Sequence, residues 1–270
     1  MLELSPKFEI HLGDALKVAP ALRANSADLV LTDLPYGVLN ARNEWDNVPD
    51  FALFWKCLNR VAKPDAAVIS TAKQPFTSFL VASNVADFRY TLVWEKSKAT
   101  GYLNAKKMPL VAHEDIVVFY RKVPTYNPQM SNGKPYNKGT AVRDTECYGK
   151  QTKAVEIKNT NGKRYPRSVQ YFRTAECEGK LHPTQKPVAL MEWLIKTYSN
   201  PGDVVLDPFM GSGSTGVAAL RNRRHFIGIE AVEKYYDIAE ARLNKETAPP
   251  PIFHPRSQNT RKETRRAVGG

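Results

Sequence analysis

DVVLDPFMGSGSTG, residues Asp203–Gly216, runs from a short β-branched stretch through a glycine turn into a sequence of helical character. Gly211, Gly213 and Gly216 formally satisfy GxGxxG, and acidic Glu230 closes the next predicted strand, Phe226–Ile229. That pattern raises a dinucleotide site, with a pyrophosphate held at a helix N-terminus. The spacing opposes it: Asp207-Pro-Phe-Met210 separates the strand from the first glycine, where the dinucleotide fingerprint turns at once. No lysine follows Gly216, so a nucleoside-triphosphate loop fails as well. A strand ending in Asp, a glycine turn and a strand ending in Glu suit a ligand carrying an amino group and a ribose. Asp207 meets the amino end, and Glu230 accepts the ribose hydroxyls.

The flanking sequence repeats the strand-then-helix rhythm. Short apolar strands are predicted at Phe8–His11, Asp28–Thr32, Ala67–Thr71, Tyr90–Trp94, Ile116–Tyr120 and Val204–Leu206. Helices are predicted at Phe51–Val61, Pro75–Val85, Val188–Tyr198, Ser214–Arg221 and Glu233–Leu243. Alternation of this kind predicts an α/β fold with a mostly parallel sheet covered on both faces. From Val123 to Lys180 neither period survives, and so long an irregular stretch inside a compact domain points to function or mobility. The divisions expected are 1–122, an insertion over 123–180, a second half over 181–245, and a basic Pro-rich tail over 246–270, expected to be disordered.

The charge follows those divisions. The 270 residues hold 39 Lys and Arg against 27 Asp and Glu, a net charge of +12. Residues 1–95 carry 9 basic and 11 acidic side chains, residues 96–186 carry 18 and 7, and residues 187–245 carry 7 and 7. One strongly basic block between near-neutral flanks suggests a polyanionic partner, since phosphate neutralisation needs clustered Lys and Arg. No apolar run approaches the ~20 residues of a membrane span. The beginning, MLELSPKFEI, has no signal-peptide character. Cys57, Cys147 and Cys177 lie far apart without a CxxC pair. Neither disulfides nor a metal site is expected, which fits a reducing cytoplasm.

A second turn, Asp33-Leu34-Pro35-Tyr36-Gly37, follows the strand ADLVLT. A carboxylate at the carboxyl end of a parallel strand sits where such sheets bind ligands. Pro35 fixes φ and removes a donor, leaving carbonyls such as that of Leu34 free to accept. The Asp33 carboxylate, the Leu34 carbonyl and the flat face of Tyr36 together match an exocyclic amino group on a planar base.

DLPYG, then HPTQKP (His182–Pro187), then DPFMGSG (Asp207–Gly213) resemble, in that order, the β class of amino DNA methyltransferases dependent on S-adenosylmethionine. The resemblance covers nearly all of the chain except the tail, and TYNPQM (Thr125–Met130) is similar to phage and prophage members. It implies a Rossmann-like methyltransferase fold with a mostly parallel seven-stranded sheet, circularly permuted motif order and an inserted target-recognition region. Residues 1–122 become the catalytic half, 123–180 the target-recognition insertion and 181–245 the cofactor-binding half. Asp33, Leu34, Pro35 and Tyr36 would be catalytic. Asp207, Pro208, Phe209, Gly211 and Gly213 would hold the methionine part of S-adenosylmethionine, and Glu230 its ribose. Asp14 and Ala15 would reach its adenine, and Thr184 and Lys186 would close over the methionine end. The family's usual second motif position is proline, and Leu34 stands there; since it mainly supplies a carbonyl, leucine is expected to serve. A leading Asp favours adenine N6 in this family and a leading Ser cytosine N4, so Asp33 points to adenine, with N4-cytosine the alternative.

In the basic block, Lys96, Lys98, Lys106, Lys107, Arg143, Lys163, Arg164 and Arg167 are the candidate DNA contacts, with Tyr148, Tyr165, Tyr171 and Phe172 interleaved for stacking. The implied partner is double-stranded DNA, with a homodimer and a cognate restriction endonuclease as further candidates. The implied setting is the cytoplasm of a bacterium or of a phage's host. A C5-cytosine enzyme needs a thiolate, and Cys57 falls on the predicted Phe51–Val61 helix as a core residue. RNA and protein-glutamine methyltransferases usually place the cofactor motif first. A nicotinamide-dependent oxidoreductase follows from the glycines alone, and a non-enzymatic DNA-binding protein leaves both turns without a purpose. His113-Glu114 reads as the start of a strand rather than a metal site, and Trp45-Asp46 as a lid over a flipped base or, alternatively, a packed loop.

Overall fold

The structure, a computed structural model, describes residues 6–37, 46–141, 144–145, 149–150, 154–179 and 181–248. Eight strands form the central sheet: β1 (Phe8–Leu12), β2 (Ala27–Asp33), β3 (Ala62–Ala72), β4 (Phe88–Thr100), β5 (Val111–Phe119), β6 (Val169–Phe172), β7 (Val204–Asp207) and β8 (His225–Glu230). Their spatial order is β1-β8-β7-β2-β3-β5-β4-β6. Only β5 runs against its neighbours; every other pairing is parallel. The eighth strand is the departure from the seven expected. Val169–Phe172, within the irregular stretch, adds to the edge at β4 with Tyr171 opposite Glu95. As an edge strand it buries little and leaves only a faint alternation in the sequence, so the end of the insertion belongs to the scaffold. The rest of the insertion forms short two-stranded pieces, such as Tyr136–Ala141 against Val155–Asn159.

Helices cover both faces, and the strands sort their side chains accordingly. Leu29, Leu31, Ile69, Ile116 and Val205 face a core built with α4 (Val188–Tyr198), α5 (Ser214–Arg221) and α6 (Glu233–Thr247). Val30, Val117 and Leu206, one residue out of step, face α1 (Ala15–Val18), α2 (Phe51–Val61) and α3 (Phe76–Ser83). That alternation is the period of two of a strand buried on both sides. Helix α2 starts where the Asp50 side chain accepts from the Leu53 amide at 3.1 Å. It buries Phe54, Cys57, Leu58 and Val61 along one stripe. Each large apolar side chain so buried contributes about 1.5–3 kcal/mol over leaving it exposed. Cys57 is thus a core residue, as its helical position predicts.

The topology fixes where a ligand binds. From β2 the chain crosses through α2 to β3, and from the adjacent β7 it crosses through α5, on the opposite face, to β8. The carboxyl ends of β2 and β7 therefore flank the point where the winding reverses, the general ligand crevice of such sheets. Those ends are Asp33 and Asp207. Among the described residues no helix is long and apolar enough to cross a membrane, and no group of three His, Cys, Asp or Glu could hold a metal ion.

Candidate active site

A cavity of about 470 Å³ opens at that crevice and gathers both sequence turns. Asp14, Ala15, Asp33, Leu34, Pro35, Tyr36, Thr184, Lys186, Asp207, Pro208, Phe209, Gly211 and Glu230 all line it. Gly213 does not; it is the N-cap of α5, at φ +79°.

The glycine turn is held by the acids around it. Glu230 accepts from the Gly211 amide at 2.9 Å and from the Val232 amide at 2.8 Å, which leaves its remaining lone pairs for a ligand. Asp207 is 2% exposed and accepts from the Phe209 amide at 3.1 Å. Burial pushes its carboxyl up to about 7 against the opposing Thr215 hydroxyl, with the Asp33 charge adding to the rise. Its donors are neutral, so it is suited to a cation arriving in the cavity. Burial likewise raises Glu230. Asp14 caps α1 by accepting from the Leu16 amide at 2.9 Å and remains half exposed at the cavity rim. The acids at three neighbouring strand ends and the glycine cradle fit a ligand with an ammonium group and a ribose.

The second turn is closely packed. Leu34 buries its side chain in the core under α2. The Tyr36 ring rests on Phe76 at 5.1 Å between centroids, 28° from parallel. Its hydroxyl donates to Asp33 at 2.9 Å. Burial, then the Asp33 charge, lifts the Tyr36 phenol well above its usual range, so it stays neutral. The Gly37 amide donates to Asp46 at 3.0 Å, which ties the segment from Asp46 to Pro49 over the turn. Asp46 is thus a wall of the cavity; Trp45, the other half of the expected lid, lies outside the described residues.

Asp33 has more partners than the sequence showed. Besides Tyr36 it accepts from Thr71 Oγ1, and Lys186 Nζ donates to its other oxygen at 2.7 Å. Lys186 is only 7% exposed and also stands 3.4 Å from Glu114, which in turn pairs with Lys96. Burial alone would lower the Lys186 ammonium; Asp33, Tyr36 and Glu114 outweigh it and hold it well above the usual lysine range. Burial would raise Glu114, and Lys186 and Lys96 pull it below the usual carboxylate range instead. His182, half-buried with its ring 4.1 Å from that of Tyr235 between centroids, is pushed down to about 4 by desolvation and is neutral at pH 7.

These placements correct one expectation and refine another. Lys96 is not a surface contact for DNA: its ammonium is buried on Glu114 because β4 and β5 pair there. Lys186 lines the cavity as expected, with its charge taken by Asp33 and Glu114. Glu114 and Thr71 were missed, because what brings them to Asp33 is cross-strand register. Lys98, Lys106 and Lys107 are exposed around the β4–β5 hairpin, with Lys98 paired to Glu176 at 2.9 Å. Lys163 and Arg167 are exposed, and Arg164 lies over Tyr136 at 4.7 Å. Tyr165 and Tyr171 are exposed, whereas Phe172 packs against the core. Arg143, Tyr148 and residues 249–270 of the tail lie outside the described residues; Glu246 and Thr247, at the tail's start, complete α6.

The DNA methylase family model, which spans N6-adenine and N4-cytosine enzymes, matches residues 27–241, and so contains both turns and the reversal point between them. The chain belongs to this DNA methylase family. This DNA methylase is thus an S-adenosylmethionine-dependent DNA methyltransferase. It is 32% identical over 258 residues to the DNA adenine methyltransferase YhdJ of Escherichia coli (strain K12), covering 88% of this chain and 83% of that one. Its fold is that of the M1.HpyAVI–SAM complex (TM-score 0.60, 24% identity, covering 88% of this chain and 99% of that one). PvuII DNA methyltransferase, described as cytosine-N4-specific, matches it as well (TM-score 0.60, 18% identity, 89% and 94% covered).

Proposed function

We propose that this DNA methylase methylates the N6 amino group of an adenine turned out of double-stranded DNA. The observation that carries the reading is the Asp33 carboxylate, fixed at the end of β2 in the cavity that also holds Asp207, Gly211 and Glu230. A leading Asp and the 32% identity to an adenine methyltransferase support adenine over cytosine.

Bound S-adenosylmethionine supplies an electrophilic methyl group. Everything else is placement by this chain. Asp207 holds the ammonium of the methionine part, Glu230 accepts from the ribose, and the turn at Asp14 and Ala15 borders the adenine. A paired base cannot reach the cavity and is turned out at a cost of a few kcal/mol. The Asp33 carboxylate and the Leu34 carbonyl accept the two amino hydrogens, which draws the nitrogen lone pair out of conjugation with the ring. Tyr36, backed by Phe76, supplies the stacking face. The exposed Lys98, Lys106, Lys107, Lys163 and Arg167, with Arg164, neutralise phosphates outside the cavity.

Incubation with unmethylated bacterial DNA and cofactor, followed by mass spectrometry of the nucleosides, tests this directly. N6-methyladenine is the expected product. N4-methylcytosine would move the specificity to the other branch of the family, and an unmethylated digest would overturn the reading.

The raised Asp207 carboxyl gives a pH prediction. A bound ammonium stabilises the ionised carboxylate, so cofactor affinity climbs with pH up to about 7 and then levels. Calorimetry should find binding at least about tenfold weaker at pH 5.5 than at pH 7.5. A flat profile would remove Asp207 from the cofactor. In the ligand-free fold the linkage has the opposite sense. A carboxyl raised on folding contributes stability at low pH that is lost as pH rises through about 7.

A further inference from the structure

Asp33, Thr71, Glu114 and Lys96 project from one face of four successive strands. Leu31, Ile69, Ile116 and Trp94 lie two residues from them in turn, and all four belong to the core on the α4 side. Lys186, in the segment leading into α4, reaches this row from above. The result is a set of two carboxylates and two ammonium groups, buried except for a partly exposed Asp33, in which Lys186 touches both acids. Its hold on them is unequal. The 2.7 Å contact to Asp33 is a close hydrogen bond, whereas the near oxygen of Glu114 stands at 3.4 Å, a looser ion-pair contact, and among the described residues no other group bonds to it. Lys186 Nζ also stands 5.4 Å from the centroid of the Tyr36 ring. It therefore fills the donor position on the carboxylate, beside the aromatic ring, that a target amino group needs. A buried carboxylate oxygen held only through so long an ion-pair contact calls for an explanation.

We propose that Lys186 is a stand-in for the target amino group in the DNA-free enzyme, and that Glu114 is the positioning residue that takes its ammonium when a base enters. The movement is under an ångström at Nζ: the Glu114 contact shortens from 3.4 Å to hydrogen-bond length as Asp33 turns to the base. The pocket keeps its charge balance throughout, so neither acid is left buried and unpaired. This rests on the amino-methylation reading and adds to it a cost of base capture set by Glu114.

The test is a double-mutant cycle on the full-length enzyme, with tritiated-methyl transfer to unmethylated bacterial DNA giving kcat and KM for DNA. Glu114→Gln removes the negative charge and one of the two oxygens, so that Lys96 and Lys186 compete for the single acceptor left, and KM for DNA should rise about tenfold. Lys186→Met removes the competitor, and KM for DNA should fall several-fold even where kcat also falls. With Lys186→Met in place, Glu114→Gln should have no further effect on KM. Melting curves certify that all three variants fold. If Glu114→Gln does not fold, the Lys186→Met arm decides alone. An unchanged or raised KM for DNA in Lys186→Met overturns the stand-in, as does an additive double mutant. Those failures leave the wild type methylating DNA; a wild type that transfers no methyl to DNA overturns the functional reading and this inference together.

Discussion

Asp33→Ala should lose methyl transfer by about 10²–10⁴-fold, the range for removing one positioned polar group from a reacting centre, while cofactor affinity stays within a few-fold. The separation follows from where the two acids sit. Asp33 ends β2 and Asp207 ends β7, so each faces the cavity from its own strand. Removing the Asp33 charge also takes away one influence that lifts the Asp207 carboxyl, which favours holding a cation there. The fold should tolerate the change because Lys186 keeps Glu114 as a partner. A buried lysine stripped of its last carboxylate would cost about 3–5 kcal/mol; here one remains. Transfer of tritiated methyl to DNA, beside calorimetry with the cofactor, reads both halves. A variant that keeps more than a few per cent of activity would take Asp33 out of the chemistry, and one that loses the cofactor as well would make it a structural residue.

The acids at the strand ends were legible because each lies within a few residues of its own punctuation. Asp33 precedes Pro35, Asp207 precedes Pro208 and Gly211, and Glu230 ends an apolar run. Helices Phe51–Val61, Val188–Tyr198 and Ser214–Arg221 have the bounds that their apolar spacing predicts. What the sequence could not show was whatever depends on which strand lies beside which. Glu114 stands 81 positions from Asp33 in the chain and shares Lys186 with it only because β5 pairs antiparallel with β3, which pairs with β2. Lys96 counted as surface charge for the same reason: a lysine in a basic block reads as solvated until its cross-strand partner is known. Val169–Phe172 escaped notice because a four-residue edge strand leaves hardly any apolar pattern.

Register also separates the glycines, which look alike in GSGSTG. At Gly213 the backbone is left-handed, with φ at +79°, and an added Cβ would stand 3.0 Å from the Ala239 Cβ and 3.2 Å from its Cα on α6. A β-branched side chain there carries about 1–2 kcal/mol for the left-handed conformation and about 1–3 kcal/mol for overpacking against a helix backbone. Gly213→Val should therefore destabilise the fold by about 2–5 kcal/mol, which lowers Tm by roughly 2–4 °C for each kcal/mol at this size. Gly211 is different. Its φ is +53°, yet the nearest atom to an added Cβ is His182 Cδ2 at 3.9 Å, and the space above it is the cavity itself. Gly211→Ala should cost only the conformational strain, about 1–2 kcal/mol, while its methyl group projects into the cavity where the proposed reading puts the cofactor's methionine part. Melting curves with and without saturating cofactor distinguish the two. Gly213→Val should show the larger drop without ligand, and Gly211→Ala the larger loss of the stabilisation that ligand provides. If the two variants lose ligand stabilisation equally, the turn binds through its overall shape, and Gly211 has no separate part in holding the cofactor.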